Sequence, residues 1–522
     1  MTAAGAGASL QVRSETSASR PGWRLVVGFA GATILIHFLT NGGYGYFRDE
    51  LYFIACGEHL AAGYVDLPPM VALIAKLSRA TMGDSLFAIR FSPALAGGAT
   101  VAIAGLLAWE LGGGFFAQAL AMLAALTVPV YLALGNMLTM NAFDPIFWMG
   151  CAWALIRMIK SGDLRWWLVF GLSAGLGLEN KESIVFLGAA LLIGLALTPQ
   201  RRLLTTRWLW PGGMVALAIA LPTVIWQLAH QMPMYEELSN VKGGSKNTPL
   251  TLFSFFGGQM LLMSPLTLPI WLSGLYFFLL SERGRELRAI GWAYVVVYGA
   301  FVVLKGKVYY IAPFYPVLLA PGAVQLESVS YAFWRPAVRY ALPSIVAIGG
   351  IVFAPMTLPI LPVETFIRYQ RALGFAQVRT ETRELADLPQ TFADMFGWPE
   401  MVATIARVYW SLPPEERKEA AIYARNYGEA AAIDFFGPRY GLPKSISGHM
   451  AYYLWGPGDS SGKVLITVGS REEGLKRAYA KVEKVAMVGT RYSMPDEHVP
   501  VFLCRESTLP IQQMWPLTKV YQ

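Results

Sequence analysis

Eleven apolar segments recur between residues 24 and 360, each long enough, or nearly so, to cross the ~30 Å hydrocarbon core of a bilayer. Nothing else in the chain narrows its fold as much. Within hydrocarbon every backbone N–H and C=O must be satisfied inside the protein, so the segments are expected to be helices. They run over 24–40, 88–110, 115–134, 139–159, 166–179, 183–198, 209–229, 253–280, 289–304, 308–324 and 340–360. Two of them, 166–179 and 183–198, are short and read as tilted or partly re-entrant. Only 15% of the residues are charged, against about a quarter in soluble domains, which excludes a soluble enzyme. The chain is therefore read as a polytopic α-helical membrane protein of about 11 spans.

Charge sets the orientation. With the N-terminus in the cytoplasm, the inside loops carry Arg13, Arg20 and Arg24; Arg157, Lys160 and Arg165; Arg201, Arg202 and Arg207; Arg283, Arg285 and Arg288; and Arg335 and Arg339. These segments hold 14 basic residues against 6 acidic ones, Glu15 among them, while the opposite loops hold 9 against 10 and the tail from residue 361 holds 19 against 18. The whole formal excess of +8 thus falls on one side, as the positive-inside rule requires. It reports topology and contact with anionic lipid rather than nucleic acid. An odd number of spans exports the C-terminal tail. The first span lacks a small-residue cleavage site and reads as an uncleaved anchor.

Residues 1–23 form a cytoplasmic N-terminus, its first twenty rich in Ala, Gly, Ser and Thr and read as disordered, and 24–360 the membrane domain. The first exported loop, 41–87, repeats apolar residues at helical spacing around Leu51–Leu60 and again around Met70–Leu77, a pattern that suits helices lying in the membrane interface. Pro68 and Pro69 break one helix and open the next. A second long exported loop, 230–252, ends in a basic, flexible stretch through Lys246-Asn247. From 361 to 522 the composition becomes that of a soluble domain, with strand-like runs at 421–423, 451–455, 464–468, 485–488 and 501–504 alternating with helical patterns at 428–436 and 471–480. That predicts a small extracytoplasmic α/β domain. Cys56, Cys151 and Cys504 give no disulfide framework, although a Cys56–Cys504 bridge is open to an oxidising space.

Several ionisable residues stand where a membrane protein rarely places them. Asp49 and Glu50 sit side by side just after the first span; they read either as a pair at a helix N-terminus, favoured by its dipole, or as reactive carboxylates. Asp144 lies at the exported end of an apolar span ahead of Pro145, either as a helix cap or facing a polar cavity. Asp66 precedes the two prolines and reads as a cap of the second interfacial helix or as a metal or phosphate-side ligand. Lys305 and Lys307 flank Gly306 at an exported surface, where they contact a phosphate or anchor lipid headgroups. Tyr309, Tyr310 and Tyr315 suit an aromatic belt. Metalloprotease, nucleotide-loop, serine-hydrolase and CxxC motifs are absent, and His59, His230 and His449 lack metal-like spacing.

In order along the chain, Arg48-Asp49-Glu50-Leu51-Tyr52, Asp66-Leu67-Pro68-Pro69, Asp144-Pro145 and the turn from Lys305 to Pro316 resemble the GT-C superfamily of polytopic glycosyltransferases. The resemblance is to protein O-mannosyltransferases and lipid A aminoarabinose transferases, and covers roughly residues 24–325. It implies an inverting glycosyltransferase of the bacterial inner membrane that takes a sugar from a polyprenyl-phosphate donor to an extracytoplasmic lipid, glycan or protein. It further implies Asp49 as general base, with Asp144 and Glu50 in the catalytic set. Arg48, Lys305, Lys307, Tyr309 and Tyr310 would meet the donor phosphate, and Asp66 matches a position linked to a divalent metal, the only cofactor implied. Where the aminoarabinose transferases carry Glu-Lys-Pro-Pro, this chain has Asp-Leu-Pro-Pro and lacks the lysine. Their histidine metal ligand has no clear counterpart here; the region after His230 offers Glu236, Glu237 and Asn240. The competing reading is a transporter or flippase for a lipid-linked sugar, but paired hydropathy halves, common in transporters, are not visible.

Overall fold

The computed structural model describes residues 20–243, 251–329, 336–374 and 386–522. The expectations attached to residues 1–19, Lys246-Asn247 and Arg335 lie outside them. Each of the eleven apolar segments contains helix, from α1 (Trp23–Thr40) to Leu342–Phe353. Among the described residues six helices are long and apolar enough to span a bilayer, or up to eight when two bent pairs each count as one span. The expected eleven is not reached on this measure because several segments are short or broken. Trp166–Asn180 and Tyr315–Val329 have 15 residues each, about 22 Å of rise. Leu252–Leu262 and Pro265–Leu279 meet at 93°, and Ile184–Ala196 meets Pro199–Thr205 at 119°.

The two ends of the bundle collect different loops. At one end the Glu327 carboxylate accepts from the amides of Gly114 and Ala117, Glu110 pairs with Arg157 and Lys160, and Gln200 donates to the carbonyl of Glu286. All of these lie in or beside loops expected on the cytoplasmic side. At the other end lie the first long loop, the helix Pro233–Gly243 and the C-terminal segment. Lys519 pairs with Glu236 at 2.7 Å, and the Asn240 amide donates to the Tyr521 carbonyl at 2.8 Å. In each group, loops expected on the same side contact one another.

The first loop folds into α2 (Arg48–Glu58) and α3 (Met70–Met82). α3 leaves Leu73 46% and Leu77 54% exposed along one stripe. α2 has no such stripe. Leu51 through Gly57 are all buried, in one core with Ile422, Ala424, Ile433 and Val468 of the C-terminal segment. An amphipathic pattern tells which face is covered, not by what.

That C-terminal segment contains a five-stranded sheet in the order β2-β1-β3-β5-β4, built from β1 (Ala420–Ala424), β2 (Ser445–Ile446), β3 (Val464–Val468), β4 (Tyr479–Met487) and β5 (Pro500–Ser507). β1, β2 and β3 are parallel and β5 and β4 antiparallel. Helices Tyr427–Phe436 and Glu472–Ala478 fall where the periodicity places them. The expected strand at 451–455 is a short helix, Ala451–Trp455, because a five-residue apolar run has no period that separates the two forms. The three cysteines are free and buried, which removes the Cys56–Cys504 bridge.

Candidate functional site

Successive residues on a helix point about 100° apart, and α2 uses that to send its two acids in different directions. Glu50 turns inward and is wholly buried. Its Oε1 and Oε2 each lie 2.9 Å from the Arg90 guanidinium, as a two-pronged pair, and they also accept from the amides of Leu138 and Phe47. Arg90 spends its remaining donors on the carbonyls of Asn41, Gly43 and Gly45. The pair therefore ties the end of α1, the start of α2 and the entry to the helix Met140–Ser161 into one block.

Asp49 faces the other way and stays 31% exposed. Its Oδ1 accepts from the Tyr427 hydroxyl at 2.8 Å and lies 3.6 Å from Arg48 Nε. Its Oδ2 has no partner among the described residues. Tyr427 opens a helix fixed by a capping box, in which Asn426 accepts from the Glu429 amide and the Glu429 carboxylate returns to the Asn426 amide. Arg48 lies over the Tyr427 ring at 5.3 Å. Burial works against its charge, yet Tyr427, Asp394, Asp49 and Glu497 hold it protonated. The guanidinium expected at a donor phosphate is thus committed to the contact with the C-terminal segment.

Asp66 does not cap α3, whose N-cap is Pro69. Its Oδ1 accepts from the Tyr52 hydroxyl at 2.8 Å. Burial, only partly offset by that hydrogen bond, raises its carboxyl to about 7, and Glu237 and Asp49 add to the rise. The Tyr52 and Tyr427 rings lie 4.5 Å apart, so the two phenols that hold Asp66 and Asp49 are neighbours. For a divalent metal, Asp66 and Glu237 offer two carboxylates. Among the described residues no group of three or more His, Cys, Asp or Glu side chains is arranged to hold one. The residues present do not fit a metal centre.

Asp144 is also not a cap; the helix begins at Met140 behind Thr139, and Asp144 lies one turn in. Its carboxylate is buried and accepts from Asn180 and Ser183, each at 2.8 Å. Those two residues bracket Lys181, whose ammonium donates to Asn141 and lies 5.0 Å and 5.7 Å from the ring centres of Tyr310 and Tyr309. Lys307, Glu182 and Glu237 all lie close enough to act electrostatically on Tyr310, and Glu237 also acts on Asp66. This joins the lysine and tyrosine turn to the acidic loop. Lys305, at a left-handed φ of 56°, is exposed and forms no ion pair among the described residues.

The structure thus gathers Asp49 and Asp66 around one tyrosine pair, and Asp144, Lys181, Tyr309 and Tyr310 around another focus joined to it through Glu237. Sequence reasoning missed Arg90, Lys181, Tyr52 and Tyr427. Only Lys181 left a local signal: the polar triplet Asn180-Lys181-Glu182 separates two short apolar helices.

The sequence profile of the dolichyl-phosphate-mannose-protein mannosyltransferase family matches residues 66–226. No curated protein matches in sequence. Among solved structures, ArnT from Cupriavidus metallidurans in the apo state is similar with a TM-score of 0.60 and 16% identity, covering 92% of this chain and 98% of that one. The same protein bound to undecaprenyl phosphate gives a TM-score of 0.56 and 15% identity over the same shares. The chain therefore shares its fold with these ArnT structures.

Proposed function

We propose that this protein is an inverting glycosyltransferase that moves a sugar from a polyprenyl-phosphate donor to an acceptor on the extracytoplasmic face of a bacterial inner membrane. The observation that carries the reading is the state of Asp49, a partly exposed carboxylate with Oδ1 held and Oδ2 without a partner among the described residues. It lies in a GT-C fold whose ArnT counterpart binds undecaprenyl phosphate.

The step balances as follows. Asp49 Oδ2 takes the proton of an acceptor hydroxyl or amine, and the freed electron pair attacks the anomeric carbon. The bond from that carbon to the lipid phosphate breaks on the opposite face, so configuration inverts and polyprenyl phosphate leaves. Proton transfer of this kind contributes ~10²–10⁴-fold. Negative charge grows on the departing phosphate, and the cations available to meet it are Lys181, Lys307 and Lys305, beside Tyr309 and Tyr310. Asp144 acts by fixing Asn180 and Ser183 and so the Lys181 turn. Glu50 holds the frame from which Asp49 projects. No step is routed through a metal at Asp66. The transporter reading finds no support in either comparison.

The test supplies membranes containing wild type or Asp49→Asn with radiolabelled polyprenyl-phosphate sugars. Wild type is expected to transfer label covalently and the variant to lose nearly all of that transfer. Undiminished transfer by the variant removes Asp49 as base, and uptake without covalent transfer restores the transporter.

A further inference from the structure

Tyr427 stands 378 positions from Asp49 in the chain, yet its hydroxyl is the only hydrogen-bond donor to that carboxylate among the described residues. Its geometry is fixed from every side. Its own amide donates to His449 Nδ1 at 3.1 Å, its ring stacks on His449 at 5.1 Å and 7°, and Tyr52 lies against it at 4.5 Å. Gly428 leaves room for the arrangement, since a Cβ there would run into the Arg48 side chain. A phenol held this way cannot swing off the carboxylate without moving the helix it opens.

We infer that Tyr427 is a positioning residue for Asp49, pinning Oδ1 so that Oδ2 alone meets the acceptor, and that the C-terminal segment thereby completes the site. The inference rests on the reading of Asp49 as base. Both contacts to Asp49 fall on Oδ1, one from Tyr427 and one from Arg48 of its own helix. A carboxylate free to rotate would present either oxygen. The phenol prevents this by holding Oδ1. Burial and the nearby Asp49 charge, opposed by Arg48, keep the Tyr427 phenol well above its ordinary value, so it remains a donor. Tyr52 does the same for Asp66, and the paired tyrosines keep the two acids on separate hydrogen bonds.

The charged groups that bear on Asp49 are Arg48 from α2, Asp66 from the loop, and, through Arg48, Asp394 and Glu497 of the C-terminal segment. Loss of the phenol donor leaves all of these in place. The decisive measurement needs no substrate. Full-length protein in detergent is treated with a water-soluble carbodiimide and glycine ethyl ester at one fixed pH, and the rate of amide formation at Asp49 is read by peptide mass spectrometry. In Tyr427→Phe, with Oδ1 released, that rate is expected to rise about threefold or more. Tyr452→Phe, which removes a comparable 2.9 Å bond to Asp434, is expected to leave it unchanged. Trifluorotyrosine at 427, a stronger donor of nearly the same shape, is expected to lower it, and this arm stands if the phenylalanine variant fails to fold. With labelled donor, kcat of Tyr427→Phe should fall on the order of tenfold, with KM changed by less than about threefold. A labelling rate at Asp49 that neither substitution changes overturns the inference. Full activity in Asp49→Asn overturns the assignment of the base instead, and the labelling result still reports the contact by itself.

Discussion

Glu50 and Arg90 form a fully buried, two-pronged ion pair, 2.9 Å at each prong, one residue from the carboxylate proposed as base. Removing one partner of such a pair leaves an uncompensated charge fully buried, at a cost of about 3–5 kcal/mol. Glu50→Ala and Arg90→Ala are therefore expected to lower the thermal midpoint in detergent sharply. Asp49→Asn, at a partly exposed position, should shift it little and abolish transfer. Equal loss of stability in Asp49→Asn and Glu50→Ala would refute this division between frame and chemistry.

Lys181 is the cation best placed to meet the departing phosphate, because it lies against both Tyr309 and Tyr310 and is anchored by Asn141. Lys181→Met keeps most of the side-chain volume and removes the charge. Its kcat/KM for a polyprenyl-phosphate sugar is expected to fall on the order of 10²-fold. Lys305→Met, at an exposed position without an ion pair among the described residues, should lose much less. Steady-state transfer with the labelled donor separates the two, and a larger loss at Lys305 than at Lys181 would return the phosphate to the glycine turn.

Hydropathy and charge made the bundle legible, because the cost of an unsatisfied backbone in hydrocarbon is written into every apolar run. They also single out Asp49, Asp66 and Asp144 as ionisable groups beside apolar segments. What each acid does was not legible. Asp49 and Glu50 are chemically alike in the sequence, and only the approach of Arg90 and Tyr427, 40 and 378 positions away, separates them. Asp66 and Asp144 both carry proline neighbours that suit a cap, yet both receive side-chain donors from other elements. Arg48 read as a phosphate ligand because nothing local announces the acids that surround it.

Asp144 offers a test of its own. Its two oxygens accept from the Asn180 amide and the Ser183 hydroxyl, both short of 3 Å. Asp144→Asn turns one oxygen into an NH₂ facing a donor, and an unmet buried donor costs about 1–3 kcal/mol. The variant is expected to lose that much stability and to raise KM for the donor, because the Lys181 turn loses its anchor. Asp144→Asn with wild-type KM and melting behaviour would reduce Asp144 to a bystander.

Asp66 supplies the pH prediction. Its folded carboxyl titrates at about 7, well above its ordinary value of 3.8, because burial disfavours the charge and Glu237 and Asp49 oppose it. The folded protein therefore binds this proton more tightly than the unfolded chain does, and stability from this group is greatest below about pH 4. Between the two values the unfolded chain binds fewer protons, so stability falls as pH rises, and the loss is complete once pH exceeds the folded value. Between pH 5 and pH 8 the fall amounts to about 2–3 kcal/mol. Asp66→Asn keeps an acceptor for the Tyr52 hydroxyl and removes the titration, so its melting midpoint should fall less steeply over that interval than that of wild type. Thermal melts in detergent at half-unit steps from pH 5 to pH 8 measure the difference in slope. Parallel curves for the two proteins would mean that Asp66 is already ionised in the folded state at pH 5, and that water, rather than the Tyr52 phenol alone, solvates it.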